Sequence, residues 1–320
     1  MKYAFKRILQ FMLTMVIVSF LAFLAFDLIS GDAATALLGT EATEEALAAL
    51  REEMGLTRPL PVRYGEWLMG FFTGNLGVSY IYHQSVSELI APKIAVTLLL
   101  SFVSFLLIVL ISIPLGLSAA KRSGGILEAS SSAFNQLCMA VPPFFTGMLL
   151  SYVFGIMLKW FMPGNFPDLH TDFGGAMKHI FFAAIAIAIP RIAMTVRMLK
   201  STIQSEMRKD YVRTAISRGN DRSAVLRIHV LKNSLVPVIS FLAQTMAEIV
   251  AGGIVVEQVF SIPGLGRMLV SSISNRDYPM VQAIIVILAL WVVLSGTLAD
   301  LVIQRIDPRL RLGGDRLKRR

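Results

Sequence analysis

Few residues of this chain are of types that do chemistry, and their spacing decides what kind. The four histidines, at 83, 170, 179 and 229, are scattered. The single cysteine, Cys138, lies inside an apolar run and leaves no partner for an intrachain disulfide. Along the apolar stretches the candidate metal donors are Cys138, His179, Asp27, Glu248 and Asp300, and no two share a helix face, so no metal site is expected. No His-Glu-x-x-His or Gly-x-Ser-x-Gly occurs, which excludes the usual intramembrane hydrolases. No Gly-x-x-x-x-Gly-Lys-[Ser/Thr] occurs either, so the chain lacks the usual cradle for a nucleotide phosphate and is not expected to be an enzyme.

What remains is charge inside apolar sequence and one short helix among basic residues. Asp27, Arg191, Glu248 and Asp300 lie within apolar runs. A charge at a bilayer centre costs at least ~2.5–3.5 kcal/mol, so each is expected to face protein or water rather than lipid. Asp27 and Asp300 are near the ends of their runs. Arg191 follows Pro190 and Glu248 is midway along its run, so both are candidates for lining a pathway or for pairing within the protein.

The short helix is read in Asp210-Tyr-Val-Arg-Thr-Ala-Ile-Ser-Arg-Gly219. Asp210 is placed to cap its first amides, and Gly219 supplies a left-handed stop. Val212, Ala215, Ile216 and Gly219 then share one face, apolar at the rim and small at the centre, which suits close approach by another protein. The plain alternative is an amphipathic helix lying on anionic lipid.

The elements that position these residues are membrane spans. Of 320 residues, 55% are hydrophobic, more than a water-soluble domain covers with polar surface. Six stretches are long enough to cross, at 8–29, 94–120, 133–158, 179–199, 236–256 and 278–303. An all-α membrane protein with six transmembrane helices is expected. Lys2, Lys6 and Arg7 precede a first run too long for a signal-peptide core, so that run is read as an anchor that stays. The net charge of +9 does not point to nucleic acid. Twenty-one of the thirty Lys and Arg residues fall in or beside the termini, the 121–128 loop and the 197–232 loop, against eight in the other three loops and Arg191 within a span, which places both termini on the cytoplasmic side.

This divides the chain into an N-terminal span (1–30), an extracytoplasmic helical segment (31–93), a five-helix core with the 197–232 loop (94–306) and a basic cytoplasmic tail (307–320). The 31–93 segment carries two helical patterns. In the first, Thr43 caps, Glu44 and Glu45 occupy the opening turn, Leu47, Leu50 and Met54 share a face, and Gly55 stops. The second follows Pro59-Leu-Pro61, with Tyr64, Trp67, Leu68 and Phe71 as an aromatic stripe suited to a membrane interface. Pro114, Pro142-Pro143, Pro190 and Gly252-Gly253 interrupt the spans, each weakening or freeing backbone hydrogen bonds that lipid cannot replace. After the fifth span, Pro263-Gly-Leu-Gly266 cannot continue a helix, so the chain is expected to turn near Pro263 and re-enter as a short amphipathic piece.

Several of these stretches resemble one family. Tyr211-Val-Arg-Thr-Ala-Ile-Ser-Arg-Gly219, followed by His229-Val-Leu-Lys-Asn-Ser-Leu-Val-Pro237, resembles the cytoplasmic "EAA" loop of bacterial ABC importer permeases of the dipeptide, oligopeptide and nickel subfamily. Arg213, Thr214 and Ala215 stand where the general pattern has Glu-Ala-Ala. Gly55-Leu-Thr-Arg-Pro-Leu-Pro-Val-Arg-Tyr64 and Gly74-Asn-Leu-Gly-Val-Ser79 resemble the amino-terminal region of that subfamily. Val256-Glu-Gln-Val-Phe-Ser-Ile-Pro-Gly-Leu-Gly-Arg267 with Asn275-Arg-Asp-Tyr-Pro279 resembles its outer hairpin, with Glu257, Pro263, Gly264 and Gly266 as the matching positions. Asp307-Pro-Arg-Leu-Arg311 resembles its carboxyl terminus.

The resemblance implies a type I importer permease of the bacterial inner membrane, paired with a second homologous permease subunit. Two cytoplasmic ATP-binding subunits would carry ATP and Mg, this chain holding no cofactor, and an extracytoplasmic solute-binding protein would deliver cargo. Tyr211, Val212, Arg213, Thr214, Ala215, Ile216, Arg218 and Gly219 would dock on an ATPase. Peptides suit the sparse polar lining of the spans better than nickel or a metal chelate. An ion channel or a transporter driven by an ion gradient is the other class, and it would have no need of a docking helix.

Overall fold

The computed structural model describes residues 2–29, 35, 42–53, 55–121 and 125–306. The expected tail 307–320, Met54 and the side chain of Asp27 lie outside the described residues. Regular structure among them is helical, apart from the isolated bridge Val78↔Ser85. The helices are α1 (Lys2–Ile29), α2 (Glu44–Glu53), α3 (Leu60–Thr73), α4 (Val86–Lys121), α5 (Ile126–Ala140), α6 (Pro143–Leu150, continued as a π-helix over Ser151–Met157), α7 (Phe173–Glu206), α8 (Asp210–Ser217), α9 (Arg222–Val225, continued as a π-helix over Leu226–Val230), α10 (Leu231–Val259), α11 (Leu265–Ser274) and α12 (Tyr278–Ile306).

Four of the expected spans fall on helices long and apolar enough to cross a bilayer: Val86–Lys121, Phe173–Glu206, Arg222–Val259 and Tyr278–Val302. The third is broken. Glu128–Ala140 and Pro143–Met157 meet at 96°, a broken span or a re-entrant loop rather than one crossing helix. For the first, the apolar helix described is Leu9–Ala25. At the other marked positions the helix continues: α4 runs on through Pro114, α7 through Pro190 and α10 through Gly252-Gly253. A lone proline removes one hydrogen bond and kinks a helix. Two in succession act differently, because each disfavours the α conformation in the residue before it. Val141 and Pro142 are accordingly extended, with ψ of 123° and 144°.

The chain forms two compact units. The first comprises 1–97 and 263–293. Thr43 accepts from the Ala46 amide at 3.3 Å, and Gly55, at φ +67°, ends α2 as expected. The aromatic stripe of α3 is half-buried against α1 rather than free for a membrane interface. The Tyr64 hydroxyl meets Ser19 Oγ at 2.9 Å and donates to the Val16 carbonyl at 3.2 Å, while Phe20 and Phe23 stand edge-on to its ring at 5.2 and 5.6 Å. Arg63 lies over Phe23 at 5.6 Å. The large apolar residues that α3 leaves exposed are Val62, Met69 and Phe72.

The second unit comprises 98–262 and 294–320. Its centre is α7, whose Ala183, Ala184, Ala186, Ala188 and Ala193 are all buried and give neighbouring helices a low surface to pack on. Asp172 caps α7 through the Gly175 amide at 2.8 Å. Gly147 of α6 sits so close that an added Cβ would lie 3.2 Å from Phe260 and 3.7 Å from Ala186. His179, the histidine nearest a span mouth, is buried with Phe161 against its ring at 4.8 Å. Its Nδ1 and Nε2 lie 3.1 and 2.9 Å from the carbonyls of Gly175 and Met162.

Candidate functional site

The segment singled out by its pattern is α8 with the turn that follows. Lys209, extended at φ −74° and ψ 153°, occupies the N-cap, and no side chain caps the helix. Asp210 is therefore the first helical residue rather than the cap, and it lies 3.8 Å from Arg213 across one turn. Gly219 has φ +86°, the left-handed stop expected, with its amide on the Ile216 carbonyl at 2.9 Å. The Asn220 amide and side chain both reach the Ala215 carbonyl, at 3.3 and 3.0 Å. Asp221 then caps α9 through the amides of Ser223 and Ala224 at 3.0 and 3.3 Å.

The apolar face of α8 divides in two. Val212 is 1% exposed and anchors the helix on its own chain, so it is not a surface for another protein. Ile216 is 42% exposed, and Arg213, Thr214, Arg218 and Gly219 are exposed with it, Ala215 being intermediate. Tyr211 fixes the angle of the segment: its hydroxyl donates to Glu206 at 2.9 Å, at the end of α7, and accepts from Asn233 at 3.3 Å, at the start of α10. Partial burial raises the Tyr211 phenol above its ordinary value and the Glu206 hydrogen bond adds to this, against the opposing effect of Asn233. Lys209 pairs with the same Glu206. The resulting surface is a short, basic, tethered ridge.

Arg191 and Glu248 are brought together. Nη1 of Arg191 on α7 donates to Oε2 of Glu248 on α10, and Gln244, one turn before, donates to Oε1 at 3.3 Å. The two charged side chains remain 26% and 37% exposed. Nearby in this unit, a cleft of about 850 Å³ is lined by Ile111, Leu115, Asn135, Ile192, Val196 and Lys200. Asn135 donates to the Ala193 carbonyl at 2.9 Å there, and Lys200 pairs with Glu128 at 2.6 Å.

Of the outer-hairpin positions, Glu257 is buried and its carbonyl accepts from the Ile262 amide at 2.9 Å. The left-handed residue of the turn is Ser261, at φ +54°. Gly264 is the extended N-cap of α11 and Gly266 is helical and buried, so the chain turns at Ser261, close to Pro263.

One residue in the first unit was not legible in the sequence. Asp277 is 1% exposed, and its carboxylate holds both the hydroxyl of Ser79 and, at 3.2 Å, the amide of Tyr80. Ser79 Oγ in turn accepts from the Tyr82 amide at 3.0 Å. Burial pushes the Tyr80 phenol up to about 12, with the charge of Arg63 opposing and Asp277 adding. No spacing rule marks a lone aspartate in a loop as the buried hub of a junction.

Among the described residues, helices with several apolar spans, a sharply bent helix pair and a tethered basic segment between two spans are those of a multi-pass membrane protein. Comparison with known families adds the role of a transport component. The model for binding-protein-dependent transport system inner membrane components matches residues 112–312, and that for the N-terminal part of such components matches residues 1–102. The chain belongs to this family, whose members are inner-membrane proteins working with a binding protein. It is 32% identical over 309 residues to the "Probable peptide ABC transporter permease protein" of Sinorhizobium fredii, covering 97% of this chain and 99% of that one. It is 32% identical over 311 residues to the "Oligopeptide transport system permease protein" of Bacillus subtilis, covering 96% and 98%.

Proposed function

We propose that this chain is the permease subunit of an ATP-driven peptide importer, one half of a translocation pathway completed by a second homologous permease. The observation that carries the reading is the full-length likeness to two relatives named for peptide transport. Among the described residues no group of three or more His, Cys, Asp or Glu could hold a metal ion, so nickel as cargo has no support from donors in this subunit. ATP and Mg belong to two cytoplasmic ATPases, and a solute-binding protein delivers cargo from the other side. The Lys and Arg distribution supports cytoplasmic termini and a cytoplasmic α8.

On this reading the exposed ridge of α8, with Arg213, Thr214, Ile216, Arg218 and Gly219, docks on an ATPase. Tyr211 and Val212 hold it at a fixed angle to α7 and α10. Closure of the ATPases moves the ridge, and the two long helices tied to it carry that motion to Arg191 and Glu248, biasing a two-state pathway. Uptake by the reconstituted complex with its binding protein tests this. Labelled di- to pentapeptides enter with ATP, and free nickel does not. ATP-dependent nickel uptake without peptide uptake overturns the cargo assignment, and a reporter that reads external after Gly219 overturns the docking assignment.

A further inference from the structure

Arg191 and Glu248 are unequally occupied. Both oxygens of Glu248 are met, by Arg191 and by Gln244. A guanidinium carries five N–H donors in a planar fork. Among the described residues the contacts of Arg191 engage only Nη1, through Glu248 and the Met194 sulfur at 3.9 Å. The donors on Nε and Nη2 remain unengaged, on a side chain 26% exposed. This cation lies in the middle of the expected 179–199 span, where facing lipid is costly. Its open edge is a place for an anion, and the fork shape selects a carboxylate.

We infer that Arg191 receives the α-carboxylate of the cargo during passage. The inference rests on the peptide-importer reading and names the part of the peptide that this subunit recognises. A free carboxyl terminus is common to linear peptides whatever their side chains, so one fixed cation can serve a cargo of varied sequence. Glu248 keeps the site weak: it competes for the same guanidinium and, with Gln244, holds that side chain in place. A carboxylate arriving at the open edge shares the cation without leaving any charge unpaired, and departs as readily.

The test compares free-acid and carboxyl-amidated forms of one labelled tetrapeptide, in proteoliposomes holding the complete complex and its binding protein. Any preference of the binding protein for the free acid is the same in every complex, so the change in the acid-to-amide uptake ratio between wild type and variant belongs to this subunit. Arg191→Gln lowers the ratio by about ten- to a hundredfold, the worth of one hydrogen bond to a charged group. Arg191→Lys keeps the charge but loses the fork, and it lowers the ratio less; it carries the test where Arg191→Gln fails to assemble. Glu248→Gln removes the competitor and raises the ratio. An unchanged ratio in the arginine variants, with peptide uptake intact, overturns the inference and leaves the importer reading standing. Wild type that takes up neither form with ATP overturns both.

Discussion

Two polar junctions in this molecule solve the same problem, holding irregular chain between helices, in opposite ways. Around Asp277 the carboxylate is buried, and the Ser79 hydroxyl and Tyr80 amide both donate to it. Around α8 the polar groups are at the surface: Tyr211 bridges Glu206 and Asn233, Lys209 pairs with Glu206, and only Val212 is fully buried. A buried hydrogen-bonded carboxylate is costly to disturb because its partners lose both it and water. An exposed tether is cheap to disturb because water replaces each bond. The first arrangement suits a junction that stays closed, the second a segment that moves with a partner.

The sharpest way to break this contrast is Asp277→Ala. It strands the Ser79 hydroxyl and the Tyr80 amide, at about 1–3 kcal/mol for each buried group left unpaired. Thermal unfolding of the purified chain is expected to show a large loss of stability, with Asp277→Asn in between. A variant as stable as wild type would mean the junction is not the fixed point taken here. Next is Gly219→Leu. A Cβ there meets nothing within 4 Å in this chain, so the structural cost is the left-handed backbone alone, about 1 kcal/mol. ATP-driven uptake nevertheless falls by about tenfold or more, equivalent to ~1.4 kcal/mol of lost docking. Gly219→Asn, which tolerates the left-handed conformation, retains more, and Arg208→Ala, outside the helix, retains all. Normal uptake by Gly219→Leu would remove the ridge from the coupling path.

The same contrast explains what could be read from the sequence. Helix α8 and its stop were legible because both are local: a 3.6-residue pattern and a glycine with φ +86°. The cap was not, since Asp210 and Lys209 are adjacent and only the backbone shows which of them is extended. The burial of Val212 was not legible either, because which part of an apolar face meets its own chain is a tertiary fact. The spans were legible as apolar runs, but Pro114, Pro190 and Pro142-Pro143 look alike in a hydropathy pattern and behave differently. Asp277 was invisible because a lone acid beside an arginine in a loop reads as solvated surface.

A smaller effect separates anchor from contact within α8 itself. Val212→Ala removes buried methyl groups, each buried carbon being worth about 0.8 kcal/mol, and loosens the segment. Ile216→Ala touches an exposed side chain and leaves stability unchanged. Their order is expected to reverse in binding: Ile216→Ala weakens ATPase association in pull-down from the reconstituted complex, while Val212→Ala mainly shortens hydrogen-exchange protection over 210–219. If both variants act alike in both measurements, the division of the face into anchor and contact fails.

The smallest effect lies at high pH and sharpens the description of the Asp277 junction. Folding raises the Tyr80 phenol from 10.0 to about 12, chiefly by burial. Between those values the folded chain keeps a proton that the unfolded chain gives up. The stability this contributes is fully present below pH 10 and is lost as the pH rises toward 12. Stability measured by chemical denaturation is therefore expected to fall across that window, and Tyr80→Phe, which has no proton to lose, falls less steeply. The tyrosinate absorbance of the native chain tests the same point, since one late-titrating phenol disappears in the variant. An identical slope in wild type and Tyr80→Phe would place the Tyr80 hydroxyl in water and open the junction that Asp277 is taken to close.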